Sequence, residues 1–216
     1  MNAANFMVCS GSQPNQLNEA ALIAILKVSR MWDIEESITW ATSRLEELDL
    51  TPAQRLQLAR MYMIPHWIAP AMQQLIHAPL ADISVADADC LGLRVYMIIA
   101  KAHERIEVEH KSIGAVAPGL SLAPSLACSV TKHSTCKDTW AQVWWNKVAY
   151  CILHPTNPLH LSAVFTHVAG LSDPQGLNPQ CKAKFLEQVV ETGTLAIEDR
   201  IIEAAIAAVH AYFDSL

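Results

Sequence analysis

The chain has 216 residues, a formal net charge of −6, a hydrophobic content of 52% and only 7 glycines. A chain of this length can bury a sizeable core, and its composition excludes a disordered or low-complexity protein. The acidic balance argues against a non-specific grip on nucleic acid or anionic membrane, and no apolar run reaches the roughly 18 residues that a membrane span needs.

Met1 to Gln16 has neither the basic start nor the apolar stretch of a secretory signal, and residues 1–17 read as a flexible tail. The expected compartment is the reducing cytoplasm or nucleus, where clustered Cys and His favour a metal over a disulfide. Helix signals are frequent and strand signals scarce, so the expected fold class is all-α.

Asn18 caps a first helix that runs to about Met31. Asp33 and Glu36 read as a capping box for a second, to about Leu48. Thr51-Pro52-Ala53-Gln54 is a stronger start, with Thr at the cap, Pro at the first helical position and Gln two further on. Pro65 opens a helix to about His77. Ser84 with Asp87 opens a long one, its apolar residues Leu91, Val95, Ile98, Ala102 and Ile106 at helical spacing, extending to Ser112.

Within this region Leu26–Leu45 aligns without gaps on Leu56–Leu75 at an offset of 30 residues. The identical pairs are Leu26/Leu56, Arg30/Arg60, Met31/Met61, Ile34/Ile64, Ile38/Ile68, Ala41/Ala71 and Leu45/Leu75. The pattern reads as two stacked helical hairpins over residues 18–112 that bury a shared face. Chance similarity between amphipathic helices is the alternative.

Residues 113–127 carry Gly114, Pro118, Gly119 and Pro124 and no charge, and read as a connector laid on the core. Residues 113–172 hold three basic side chains and one acid, Asp138, whereas the flanking segments are acidic. A second helical lobe is expected over 128–216, separate from the first or joined with it in one compact unit. Its helices resume near Cys136, with Trp140, Trp144, Val148 and Ile152 on one face, and stop before Pro155. A short helix covers Leu161 to Ala169, Asn178-Pro179 starts another that ends at Gly193, and the last runs from about Glu198 to Phe213.

Cys128, His133 and Cys136 are spaced C-x4-H-x2-C. Zinc takes tetrahedral nitrogen and sulfur ligands, and a short segment entering a helix can supply three. Cys136 is read as lying in the first helical turn, where the partial positive charge favours a thiolate. Cys181, in the first turn after Asn178-Pro179, completes the set, so the metal ligands expected are Cys128, His133, Cys136 and Cys181 around a structural zinc. Thiols packed as small hydrophobes without metal are the alternative. Cys151 and His154 are excluded from the site, being about 22 Å or more along one helix from Cys136 at 1.5 Å per residue. Cys90 reads as a core residue and Cys9 as part of the tail.

The segments Leu26 to Leu75, Leu91-Gly92-Leu93 and CSVTKHSTCKDTWAQVWW resemble the region that follows the BTB/POZ domain in proteins of mushroom-forming fungi. The resemblance runs from about Leu22 to the C-terminus, diffuse in the helices and more specific around the Cys/His/Trp segment. It implies a helical region comparable in place to other BTB-associated helices, without an established enzymatic role. It also implies that Cys and His recur at the candidate ligand positions. The BTB domain itself is missing, so its dimerisation and cullin recruitment do not carry over; a C-terminal fragment or a member without that domain is expected.

Motifs for nucleophilic hydrolysis, phosphate or dinucleotide binding and zinc proteolysis are missing. The expected function is a non-enzymatic protein–protein interaction or scaffold module, with protein partners and no membrane. Two alternatives stand beside it. One is a nucleic-acid-binding regulator using the basic 113–172 segment with Lys132, Lys137, Lys147, Lys182 and Lys184, lysines otherwise read as solvated. The other is an unrecognised enzyme or small-ligand binder with a pocket between helices. Trp145, about 100° around the helix from Trp144, is expected to be the exposed indole.

Overall fold

A computed structural model describes residues 17–155, 157–172 and 175–216. The tail expected over residues 1–17, with Cys9, lies outside these residues except for Leu17. The regular elements among the described residues are helices, with no strand, so the chain is all-α.

Helix α1 (Glu19–Met31) begins where Asn18 accepts from the Ala21 N–H. Helix α2 (Glu35–Glu46) lacks the expected Asp33 capping box. Asp33 is instead a left-handed turn residue (φ 53°), Ile34 holds the cap position, and Ile34 N–H returns to the Ser29 carbonyl. Helix α3 (Pro52–Tyr62) has the expected box: Gln54 N–H donates to Thr51 Oγ1 and Thr51 N–H to Gln54 Oε1. A 3-10 turn at Pro65–Trp67 leads into α4 (Ile68–His77).

Helix α5 (Val85–Ala115) starts on the Ser84/Asp87 box and runs three residues past Ser112, into the segment read as connector. It is kinked at Gly92, whose φ of 73° and ψ of 158° are open to glycine and strained for other residues. After the connector, α6 (Val130–Val143) starts six residues earlier than expected because Ser129 takes the cap position. The helix continues through a π-helical stretch, Trp144–Ala149, into α7 (Tyr150–Ile152). Then follow α8 (Leu161–Ala169), α9 (Pro179–Glu191) and α10 (Ile197–Asp214).

Two apolar cores form. The first joins the inner faces of α1 to α5 with Ile201, Ile202, Ala205 and Val209 of α10. The repeat-aligned pairs Leu26/Leu56, Ile38/Ile68, Ala41/Ala71 and Leu45/Leu75 are all buried in it, whereas Ile64 is buried and Ile34 exposed. The second core gathers Trp140, Trp144, Val148, Ile152, Leu161, Val164, Val168, Phe185 and Val189. Ile197, where α10 begins, packs on both. Cys90 packs, half-buried, against the first core.

The connector does lie on the second core, and α6 explains why. His133, Trp140 and Trp144 share one face of the helix and each donates a ring N–H to a connector or α5 carbonyl. His133 Nε2 meets Leu122 O at 3.0 Å, Trp140 Nε1 meets Pro118 O at 2.8 Å, and Trp144 Nε1 meets Ile113 O at 3.1 Å. The acceptors run backwards as the donors run forwards, so the face grips an antiparallel strap. Gly119 (φ 78°) lets the strap pass close to Phe185, where an added Cβ would sit 3.1 Å from that ring. Unpaired carbonyls under such a strap would be costly, which is why large aromatic donors stand there.

Candidate metal centre

Four side chains from three segments converge at the edge of the second core. Cys128 directly follows the connector, His133 and Cys136 lie one turn apart on α6, and Cys181 stands in the first turn of α9. Their ligand atoms all lie within 4.8 Å of one another, and His133, Cys136 and Cys181 are buried while Cys128 is half-buried. Cys128 Sγ is 3.7 Å from Cys136 Sγ, and Cys181 Sγ is 3.6 Å from His133 Nδ1. The arrangement can hold one metal ion.

The surroundings orient each donor. The Leu122 carbonyl can only accept, so His133 carries its proton on Nε2 and turns the Nδ1 lone pair to Cys181. This is the outer partner that a metal-ligating histidine ordinarily has. Asn178 N–H donates to Cys136 Sγ (3.5 Å), and Asn178 Nδ2 donates to the Ala127 carbonyl (3.3 Å), fixing α9 against the residue before Cys128. Ser125 Oγ lies 3.3 Å from Cys181 Sγ. Cys136 occupies the second turn of α6 rather than the expected first turn. The polar group acting on its sulfur is the Asn178 N–H, not the helix end.

Cys128 and Cys181 ionise differently. Desolvation, with the Cys136 and Cys181 thiols beside it, pushes Cys128 up to about 12. Burial also works against the Cys181 thiolate, but hydrogen bonds led by those from the Ser125 side chain and backbone outweigh it. They bring that thiol down to about 7.

Cys151 and His154 stand apart from the cluster; Cys151 Sγ faces His167 Nε2 at 3.8 Å. Trp145 is exposed, and Trp140 and Trp144 are core. Lys182 is not a solvated lysine: it is buried, and its ammonium donates to the Leu171 carbonyl at 2.8 Å. Lys184 reaches the carbonyls of Ala123 and Pro124, both at 3.5 Å, so it holds the connector.

One buried polar cluster had no counterpart in the sequence pattern. Glu198, in the first turn of α10, accepts from the Leu161 N–H at 2.7 Å and lies 3.3 Å from His110 Nε2. Burial disfavours its charge, but the His110 contact, the Leu161 N–H and the charges of His160 and His110 outweigh this and hold the carboxyl below its usual range. Its partners come from α5 and α8, so spacing along the chain carries no signal of the cluster.

Compared with protein-family models, curated proteins and solved structures, the chain finds no match. No described helix is long and apolar enough to cross a membrane.

Proposed function

We propose that this chain is a non-enzymatic helical interaction module whose second lobe is held together by a structural zinc on Cys128, His133, Cys136 and Cys181. The observation that carries the zinc reading is the closed, four-donor geometry. Zn–S bonds of about 2.3 Å and a Zn–N bond of about 2.0 Å at tetrahedral angles put sulfurs about 3.8 Å apart and sulfur about 3.5 Å from nitrogen. The corresponding separations here are 3.7 and 3.6 Å. Four protein donors leave no open position, the mark of a structural rather than a catalytic zinc.

The interaction reading is supported by two neighbouring helix corners. Met31 and Trp32 at the end of α1 and Met63 at the end of α3 are about 70% exposed or more, and Arg30 ties the corners together through the Met63 carbonyl at 2.9 Å. Exposed aromatic and methionine side chains in one place mark a surface for a protein partner. The resemblance to BTB-associated helices points the same way. The nucleic-acid alternative is weakened because two of its five lysines, Lys182 and Lys184, are spent on loop carbonyls.

The test is metal analysis of protein purified without added zinc, with cobalt substitution as the reporter of ligand type. Zinc at this centre, and a thiolate-to-cobalt absorption band that disappears in both Cys136→Ser and Cys181→Ser, is the expected result. Absence of any thiolate-bound metal in the unaltered chain would refute the zinc reading. Substrate turnover lost on altering one buried polar cluster would refute the non-enzymatic one.

A further inference from the structure

The geometry points to a second metal site, formed by His77, His160 and Glu198 where the two cores meet, and we propose that it binds a borderline divalent transition-metal ion with one coordination position left open. His77 ends α4, His160 caps α8 and Glu198 lies in the first turn of α10. One ligand atom from each lies within 4.8 Å of the others.

Three features favour an ion over a plain ion-pair cluster. First, His160 Nε2 is buried and makes no hydrogen bond. It stands 3.4 Å from Glu198 Oε1 and 3.7 Å from Asp199 Oδ1. A direct charge-assisted bond would close to about 2.7–2.9 Å. An ion with bonds of about 2.0–2.1 Å would instead hold tetrahedral nitrogen and oxygen donors about 3.3 Å apart. Second, the carboxylate is already oriented. Its Oε2 is held by the Leu161 N–H and His110, which leaves Oε1 as the oxygen facing His160. Third, the His160 ring has an acceptor for the proton that metal binding moves to Nδ1. Ser162 Oγ lies 2.6 Å from Nδ1, in exchange for the longer 3.3 Å bond that Nδ1 now accepts from Ser162 N–H. Oriented carboxylates and a hydrogen-bonded outer ring nitrogen are the usual support of a metal ligand.

Two imidazoles and one carboxylate suit zinc, cobalt, nickel or ferrous iron, not the all-oxygen preferences of calcium or magnesium. The rings of His77 and His160 meet edge to face at 5.0 Å, and the His77 side is exposed. The open position therefore faces solvent, with half-exposed Asp199 at its rim. The site differs in kind from the cysteine centre: three donors rather than four, no sulfur, and an accessible face.

The experiment is titration of the metal-free full-length chain with Co2+, followed by absorption and native mass spectrometry. The cysteine centre reports through thiolate-to-cobalt charge transfer, and the second site through cobalt bands without it, so either site can fail independently. Two equivalents are expected in the unaltered chain. His77→Ala, at an exposed helix end that leaves both cores intact, should weaken the sulfur-free equivalent at least about tenfold while the thiolate band persists. Glu198→Gln, which keeps the side-chain shape, should do the same, and Cys136→Ser should show the converse. Absence of a sulfur-free equivalent in the unaltered chain overturns the proposal. So does a sulfur-free equivalent whose affinity is unchanged in both His77→Ala and Glu198→Gln.

Discussion

At the residue scale, the sites that matter are polar groups given one specific partner. Asp87 is an example. Its carboxylate closes the Ser84 box at the start of α5 and also accepts from Thr51 Oγ1 at 3.0 Å, linking the starts of two helices. These bonds, led by the one from the Ser84 side chain, outweigh desolvation and hold its carboxyl below the usual 3.8. Asp87→Ala should lower stability by about 1 kcal/mol, read as a shift in the denaturation midpoint. Because the folded-state pKa is the lower one, this contribution is present above the ordinary aspartate range and is lost as pH falls through the depressed value. The gap between the unaltered chain and the variant should therefore be full at pH 6 and shrink below pH 3.8. Asp33 shows the opposite outcome. Asp-x-x-Glu satisfies the capping pattern on paper, but the chain leaves α1 through a left-handed turn at Asp33, and its side chain makes no cap bond. Local pattern named a start signal, while the exit geometry of the preceding helix decided where the signal could act.

At the element scale, α5 and α6 carry the architecture. Gly92 kinks α5 with a positive φ, and Gly92→Ala should destabilise the fold by about 1–3 kcal/mol, measurable by urea denaturation. The face of α6 that grips the connector gives a sharper prediction. Trp140→Phe keeps an aromatic ring against Phe185 and Trp144 but removes the donor to the Pro118 carbonyl. The unpaired carbonyl should lower stability by about 1–3 kcal/mol and speed limited proteolysis within residues 116–127. The apolar face of this helix was legible in the sequence: Trp140, Trp144, Val148 and Ile152 are all buried as their spacing required. That His133 and the two tryptophans also act as donors to one strap was not legible, because the acceptors are main-chain carbonyls and every residue type presents those.

On the scale of the whole molecule, the cysteine cluster joins α6, α9 and the connector, so on the proposed zinc reading metal removal should loosen that lobe while leaving α1 to α4 in place. At free zinc about a thousandfold above its dissociation constant, the ion would contribute about 4 kcal/mol. Chelation should therefore lower the melting temperature and raise hydrogen exchange in 116–136 and 178–190 more than in α1 to α4; uniform exchange would count against this division. The all-α class was determined by the sequence itself, since helical periodicity and cap residues are local and each element carries its own. The convergence of Cys128, His133, Cys136 and Cys181 was legible there too, because three of these side chains are neighbours along the chain and the fourth sits behind a readable Asn-Pro start. The cluster of His77, His110, His160 and Glu198 was decided by tertiary structure alone. Its members stand on α4, α5, α10 and the cap of α8, and they meet only because α10 returns across the first core and brings Glu198 to the seam with the second. No spacing rule encodes a meeting that depends on how whole helices pack.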